Sequence, residues 1–125
     1  MVLCADYVGF HMLFTGDMGK EQERALQGWA EEQGELGRLA AEHLGHVQVL
    51  KTAHHGSDGS SDPGFLACMP LRAAVISYGR GNSYGHPAER AVPNLKELGA
   101  YVLETGELGA IRIWTDGEPV EMDGL

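Results

Sequence analysis

The residues best suited to chemistry in this chain fall into three short groups. They are an aspartate in Thr15-Gly16-Asp17, a histidine pair in His54-His55-Gly56-Ser57, and a histidine in Asn82-Ser83-Tyr84-Gly85-His86-Pro87. Carboxylate and imidazole brought to one place are donors for a divalent metal. Each also has a plainer reading. Asp17 directly precedes a helical pattern, where its charge suits the positive end of the helix dipole. His86, between a glycine and a proline, sits in a stiff turn of the kind that displays surface histidines. The adjacent pair is harder to explain by packing. A strand-end histidine can hold a metal through one ring nitrogen while an acceptor fixes the other. Its neighbour then points away, to support it or to face a substrate. His11, inside a strand, and His43 and His46, flanking a helix end, read as structural or solvated. Ser57, Ser60 and Ser61 lie beside a helix start that can hold an anion, although simple capping needs only one of them. The glycines from Gly79 to Gly85 lack the spacing of a GxGxxG phosphate loop.

The elements that must carry these groups can be read from periodicity. Val2–Tyr7 and His11–Phe14 read as two strands of a hairpin around Val8-Gly9, the second ending at Thr15-Gly16-Asp17. Lys20–Glu31 has Ala25, Leu26, Trp29 and Ala30 at helical spacing. Leu36, Leu39, Ala40 and Leu44 continue in a second helix, with Gly34 as break and Gly45 as stop. Val47–Thr52 is a strand that runs into the histidine pair. Ser61-Asp62-Pro63 is a helix start, and Phe65, Leu66 and Met69 give that helix its apolar side. Ala73–Ser77 is a buried strand, followed by the loop Gly79–Pro87. Pro93 inside a helix spanning Ala88–Leu98 would cost about 3 kcal/mol. The spacing therefore predicts a start near Val92, with Pro93 at the first position. Ala100–Glu104 and Ala110–Trp114 read as a hairpin, and the last ten residues as a polar tail. Strands alternating with helices make the class α/β, and loops leaving strand ends are where α/β sheets bind ligands.

Bulk properties narrow the function. With 125 residues there is room for one domain with a real core. A formal charge of −9 argues against a general polyanion-binding surface, unless bound metal supplies positive potential locally. No apolar run approaches the roughly 20 residues of a membrane span, and the N-terminus has no signal-peptide pattern. Cys4 and Cys68 fit neither a zinc knuckle nor a disulfide framework and read as buried small hydrophobes. The abrupt start inside a strand suggests a piece of a longer protein.

Taken in order, Thr15-Gly16-Asp17, the HHGSxxSS pattern of His54–Ser61, the NxYGHP pattern of Asn82–Pro87, a helix ending Leu95-Lys96-Glu97-Leu98-Gly99 and the TxxxGAI pattern of Thr105–Ile111 form a series. It resembles the C-terminal half of the metallo-β-lactamase-like domain of ComEC-type DNA-internalisation (competence) proteins, over Val2 to about Thr115. The resemblance implies half of an αββα sandwich, a mixed sheet with helices on one face, with residues 1–125 forming the C-terminal part of the domain. It further implies two divalent ions, Zn²⁺ or Mn²⁺, in the intact domain. Asp17 would bridge them, and the double histidine would be the last protein ligand, with His54 favoured and His55 as its neighbour. Asn82 and His86 would approach the substrate as catalytic groups, while Ser57, Ser61 and His55 would line the phosphate pocket. The implied reaction is hydrolysis of DNA phosphodiesters during uptake, by a soluble domain of a membrane protein on the extracytoplasmic side.

The family's HxHxDH motif is absent. Two ligands remain where a catalytic zinc needs about three plus water, so metal binding by this chain alone should be weak or absent and the chain alone inactive. The implied partners are DNA, the missing N-terminal half, and a second copy of the chain docked on the sheet face left bare. Two other readings compete: a stand-alone cytoplasmic hydrolase of small phosphodiesters or esters, and a non-catalytic interaction module. Gly106, where relatives often carry an acidic residue, is a departure of local shape.

Overall fold

Val8-Gly9 reverses the chain between β1 (Leu3–Tyr7) and β2 (Phe10–Phe14), which pair antiparallel with Asp6 opposite His11. This computed structural model describes residues 1–118 and the backbone of 120–124. After β2 come α1 (Lys20–Glu31) and α2 (Glu35–Leu44), broken at Gly34 and stopped at Gly45 as their spacing predicts. Next are β3 (Val49–Lys51), a 3₁₀ turn (Ala53–Gly56), α3 (Pro63–Leu66) and β4 (Ala73–Ile76). The order closes with α4 (Ala91–Glu97), β5 (Tyr101–Glu104), α5 (Thr105–Leu108), β6 (Ile111–Thr115) and β7 (Val120–Gly124).

Five strands form one mixed sheet in the order β1-β2-β3-β4-β5, antiparallel only at β1–β2. Strand alternation divides the core into two faces. Leu13, Leu50, Ala74 and Ile76 point to one face and meet Leu26, Leu44, Phe65, Leu66 and Leu95 from α1 to α4. Phe10, Val49, Ala73 and Val75 point to the other and meet Ile111 and Ile113 of β6. Helices α1 to α4 therefore share one face, in keeping with the mixed α/β expectation.

Several local expectations are corrected. Ala110–Trp114 does not form a hairpin with Ala100–Glu104: α5 intervenes, and β6 pairs antiparallel with β7. That pairing also takes up Val120–Gly124, which read as polar tail; Pro119 and Leu125 lie outside the described residues. The face expected to be bare is covered at its centre by β6, although Leu3, Tyr7 and Tyr101 remain exposed. Trp29, Leu36 and Leu39, part of the helical spacing of α1 and α2, are surface residues. Leu26 and Ala30 carry the contact of α1 with the core. Pro93 is the third residue of α4 rather than the first, because the helix already starts at Ala91, and it is still within the first turn, where no helical N–H is missed.

Candidate functional site

The three chemical loops leave the C-terminal ends of β2, β3 and β4, which are adjacent and parallel across β2–β3–β4. Threonines just past the strands pin them. Thr15 Oγ1 donates to Lys51 O at 3.0 Å, and Thr52 Oγ1 donates to Val75 O at 3.3 Å. Thr105, just past β5, accepts from Tyr78 N–H at 2.9 Å and donates to Tyr78 O at 3.1 Å. Thr15 and Thr52 are buried, so each hydroxyl carries the register of one strand pair into its loop. A threonine placed immediately after each of β2, β3 and β5 was the sequence signal for this device.

His54 and His55 both adopt left-handed backbone, φ 48° and 54°. Successive non-glycine residues there are uncommon and each costs on the order of 1–3 kcal/mol. Hydrogen bonds hold the turn: His54 N–H donates to Gly16 O at 2.9 Å, and Ser57 N–H donates to His54 O at 3.0 Å. Gly56 completes the left-handed run at φ 80°, where a Cβ would lie 2.9 Å from Pro87 Cβ. The chain thus turns too sharply for a bulkier residue and delivers the two rings to opposite sides.

The His54 ring reaches the Asp17 loop. Its Nε2–H donates to Asp17 O at 2.8 Å, and Nε2 stands 3.9 Å from Asp17 Oδ1. The Asp17 side chain is 89% exposed and that of His54 45% exposed. Two metal–ligand bonds of about 2.0–2.2 Å can span such a separation, so the donors suit a divalent ion once the ring releases Asp17 O. Among the described residues no third Asp, Glu, His or Cys joins these two at ligand spacing. Lys51, half-buried at the end of β3, donates to Thr52 O at 2.9 Å. Burial holds its ammonium below the usual lysine range, partly opposed by the negative charge of Asp17.

The His55 ring turns the other way. Its Nδ1–H donates to Ser77 O at 2.6 Å, leaving Nε2 available. The ring lies 6.4 Å from that of His86, which stacks on Tyr84 at 5.9 Å. A cavity of about 290 Å³ lies among His55, Asn82, Tyr84 and His86. The Asn82 amide is engaged by its own loop: Nδ2–H donates to Gly79 O at 3.0 Å and His86 O at 2.6 Å, and Oδ1 accepts from Tyr84 and His86 N–H at 3.1 Å each. What Asn82 contributes here is the shape that presents His86.

On the other side of the histidine pair, a polar cavity of about 280 Å³ is lined by Lys20, Ser57, Asp58, Ser61, Arg90 and Asn94. Ser57 Oγ accepts from Gly59 N–H at 3.2 Å, and Ser60 Oγ donates to Met18 O at 2.7 Å. None of the three serines caps α3. Asp62 does, accepting from Gly64 and Phe65 N–H, while Arg24 grips its Oδ1 at 3.0–3.1 Å. Glu23, 2% exposed, accepts the N–H groups of Ser61 and Asp62. Sequence reasoning missed Lys20, Glu23, Arg24, Lys51 and Arg90. Lys20, Glu23 and Arg24 lie on α1, Lys51 ends β3 and Arg90 precedes α4, and only the fold brings these separate elements to the loops of the site.

No family model matches the chain, and no solved structure matches it. Curated relatives do. The chain is 31% identical over 112 residues to ComE operon protein 3 of Bacillus subtilis (strain 168), covering 90% of the chain and 13% of that protein. It is 34% identical over 104 residues to competence protein ComA of Neisseria gonorrhoeae, covering 83% of the chain and 14% of that protein. It is 32% identical over 88 residues to recombination protein 2 of Haemophilus influenzae, covering 70% of the chain and 11% of that protein. The chain thus corresponds to a small segment of proteins several times its length.

Proposed function

We propose, from the premise that this chain belongs with the ComEC-type competence proteins, that it is the C-terminal half of a metallo-β-lactamase-like domain which hydrolyses DNA phosphodiesters during uptake. The observation that carries the reading is the convergence of the Asp17, His54 and His86 loops on one rim, with the His54 ring hydrogen-bonded to the backbone of Asp17. In the intact domain Asp17 and His54 would hold divalent metal together with ligands from the N-terminal half. The chemistry bound metal supplies at such a rim is neutralisation of phosphate charge and acidification of water.

The chain's own residues would then do the following. Lys20, Arg90 and Ser57 line the cavity beside the pair and would bind a phosphate of the strand. Two cations against the single carboxylate of Asp58 leave this cavity locally positive in a chain of net charge −9, as acceptance of a polyanion requires. His55, fixed through Nδ1, would present Nε2 to the substrate side. His86, oriented by Tyr84 and the Asn82 loop, would hold or deliver a proton at a phosphate or leaving oxygen. No helix among the described residues is long and apolar enough to cross a membrane. In a whole protein that spans one, the domain would work on the extracytoplasmic side.

The test is co-expression of this chain with an HxHxDH-bearing N-terminal half, followed by a DNA hydrolysis assay in Mn²⁺ and in Zn²⁺. The pair is expected to be active and the chain alone inactive. Asp17→Ala and His54→Ala should each lower activity by about 100-fold or more. A reconstituted domain that cuts no DNA, or one indifferent to both substitutions, overturns the proposal.

A further inference from the structure

On the helix-facing side of the β1–β2 pair, the hairpin and α2 bring together a second set of donors. Cys4 and Asp6 are two apart on β1 and so share the face that looks toward the helices. Asp6 is in register with His11 of β2, and His43 comes down from the last turn of α2. Cys4 Sγ–H donates to Asp6 Oδ1 at 3.1 Å, and His11 Nδ1–H donates to the same oxygen at 2.6 Å. His43 Nδ1 stands 4.0 Å from Asp6 Oδ2. Ligand atoms of Cys4, Asp6 and His43 all lie within 4.8 Å of one another, the only such trio among the described residues.

We infer that Cys4, Asp6 and His43 form a binding site for a Zn²⁺-like divalent ion, separate from the rim of Asp17 and His54. One sulfur, one nitrogen and one oxygen donor make a set that borderline-soft Zn²⁺ accepts and that hard Mg²⁺ or Ca²⁺ does not favour. Three protein donors leave a fourth position for water or an incoming ligand. His11 is the orienting partner: its bond to Oδ1 fixes the carboxylate, as a second-sphere group fixes a metal ligand. As the metal–sulfur bond forms, the Cys4 S–H bond breaks and its proton passes to buffer, so one proton is released by the thiol per ion bound. The site ties both strands of the hairpin to α2. Cys4 lies opposite Leu13 and Asp6 opposite His11, and among the described residues neither Asp17 nor His54 joins this trio at ligand spacing, so an ion here is not the one held by Asp17.

The individual residues gave no warning. Cys4 read as a buried hydrophobe and His11 and His43 as structural or solvated, because His43 lies 32 to 39 positions from the hairpin residues and meets them only in the fold.

Titration of the full chain with Co²⁺, then displacement by Zn²⁺, reads the site directly. One equivalent of Co²⁺ should give a near-ultraviolet thiolate charge-transfer band that Zn²⁺ abolishes. Cys4→Ser should remove the band. His43→Ala should weaken binding at least about 10-fold, and because His43 is 55% exposed this variant keeps its fold. Cys68→Ser, Asp17→Ala and His54→Ala should leave the band unchanged. Absence of the band, its survival in Cys4→Ser, or its loss in Asp17→Ala or His54→Ala would overturn the inference.

Discussion

The carboxylate of Glu23 accepts the backbone N–H of Ser61 at 2.9 Å from inside the protein, while its other oxygen accepts that of Asp62 at 2.7 Å. One α1 side chain thereby fixes the loop that carries His54, His55 and Ser57. Ser61 needs such a hold, since its own backbone is left-handed at φ 62°. Removal of Glu23 would leave two buried N–H groups without acceptors, at about 1–3 kcal/mol each.

Burial pushes the Glu23 carboxyl above the usual range, and the two N–H bonds only partly offset this. Above its raised pKa the folded protein carries the cost of a buried charge. That cost is lifted as pH falls through the folded value toward the ordinary value of 4.5. The stability difference between wild type and Glu23→Gln should therefore be flat above the raised folded pKa and shift in favour of wild type between that value and 4.5. Urea unfolding of both proteins from pH 8 to pH 4.5 measures it, and a pH-independent difference would show that Glu23 is not titrating there. Glu23→Ala should be the more destabilised at every pH.

Gly56→Ala tests whether the histidine turn depends on its glycine. The left-handed backbone at φ 80° and the approach of Pro87 Cβ and Ile76 Cγ2 act together. The expected loss is at least about 2 kcal/mol. The same substitution should shift the NMR resonances of the His54 and His55 rings, since Ala88 N–H donates to Gly56 O at 2.8 Å and ties this turn to the His86 loop. A variant of unchanged stability with unmoved histidine signals would mean that the turn tolerates a side chain.

Most of the frame was legible from spacing. The α1 boundaries, the break at Gly34, the stop at Gly45 and the start of α3 at Asp62-Pro63 all follow from apolar period and cap chemistry. The C-terminal strands were not, because a short turn such as Thr105–Leu108 can be the tip of a hairpin or one turn of helix. The thing that decides it is Thr105 bonding Tyr78, 27 residues away. Gly106 is explained in the same way: a Cβ there would run into the Tyr78 ring, so a larger residue needs that ring elsewhere. At the site, residue types announced Asp17 and the histidines, but not the polar partners that hold them. Glu23 and Arg24 act on Ser61 and Asp62 across long sequence separations, which a linear pattern does not carry.

Cys4 should be a poor nucleophile in metal-free protein. Burial first, then the hydrogen bond and charge of Asp6, push its thiol up to about 12. At pH 8 about one molecule in ten thousand then carries the thiolate. Alkylation of Cys4 by iodoacetamide, followed by mass spectrometry, should be slower than that of an unfolded control. Asp6→Asn should accelerate it only in part, because burial, the larger cause, remains. Rapid alkylation of Cys4 in the wild type would show that the thiol is neither shielded nor held by Asp6.

The rim of Asp17 and His54 should bind metal feebly without further ligands, and Mn²⁺ is the ion with which to ask. Manganese favours oxygen and imidazole donors and has little preference for thiolate, so it separates this rim from Cys4. Two donors, one of them 89% exposed, give little preorganisation, and a Kd on the order of 1 mM, near −4 kcal/mol, is expected. Calorimetric titration of the chain should show weak heats that disappear in both Asp17→Ala and His54→Ala and persist in Cys4→Ser. Micromolar binding lost in either rim variant would instead mean that the chain completes the site by itself, with ligands drawn from a second copy. Heats unchanged by both substitutions would remove these two residues from the metal site altogether.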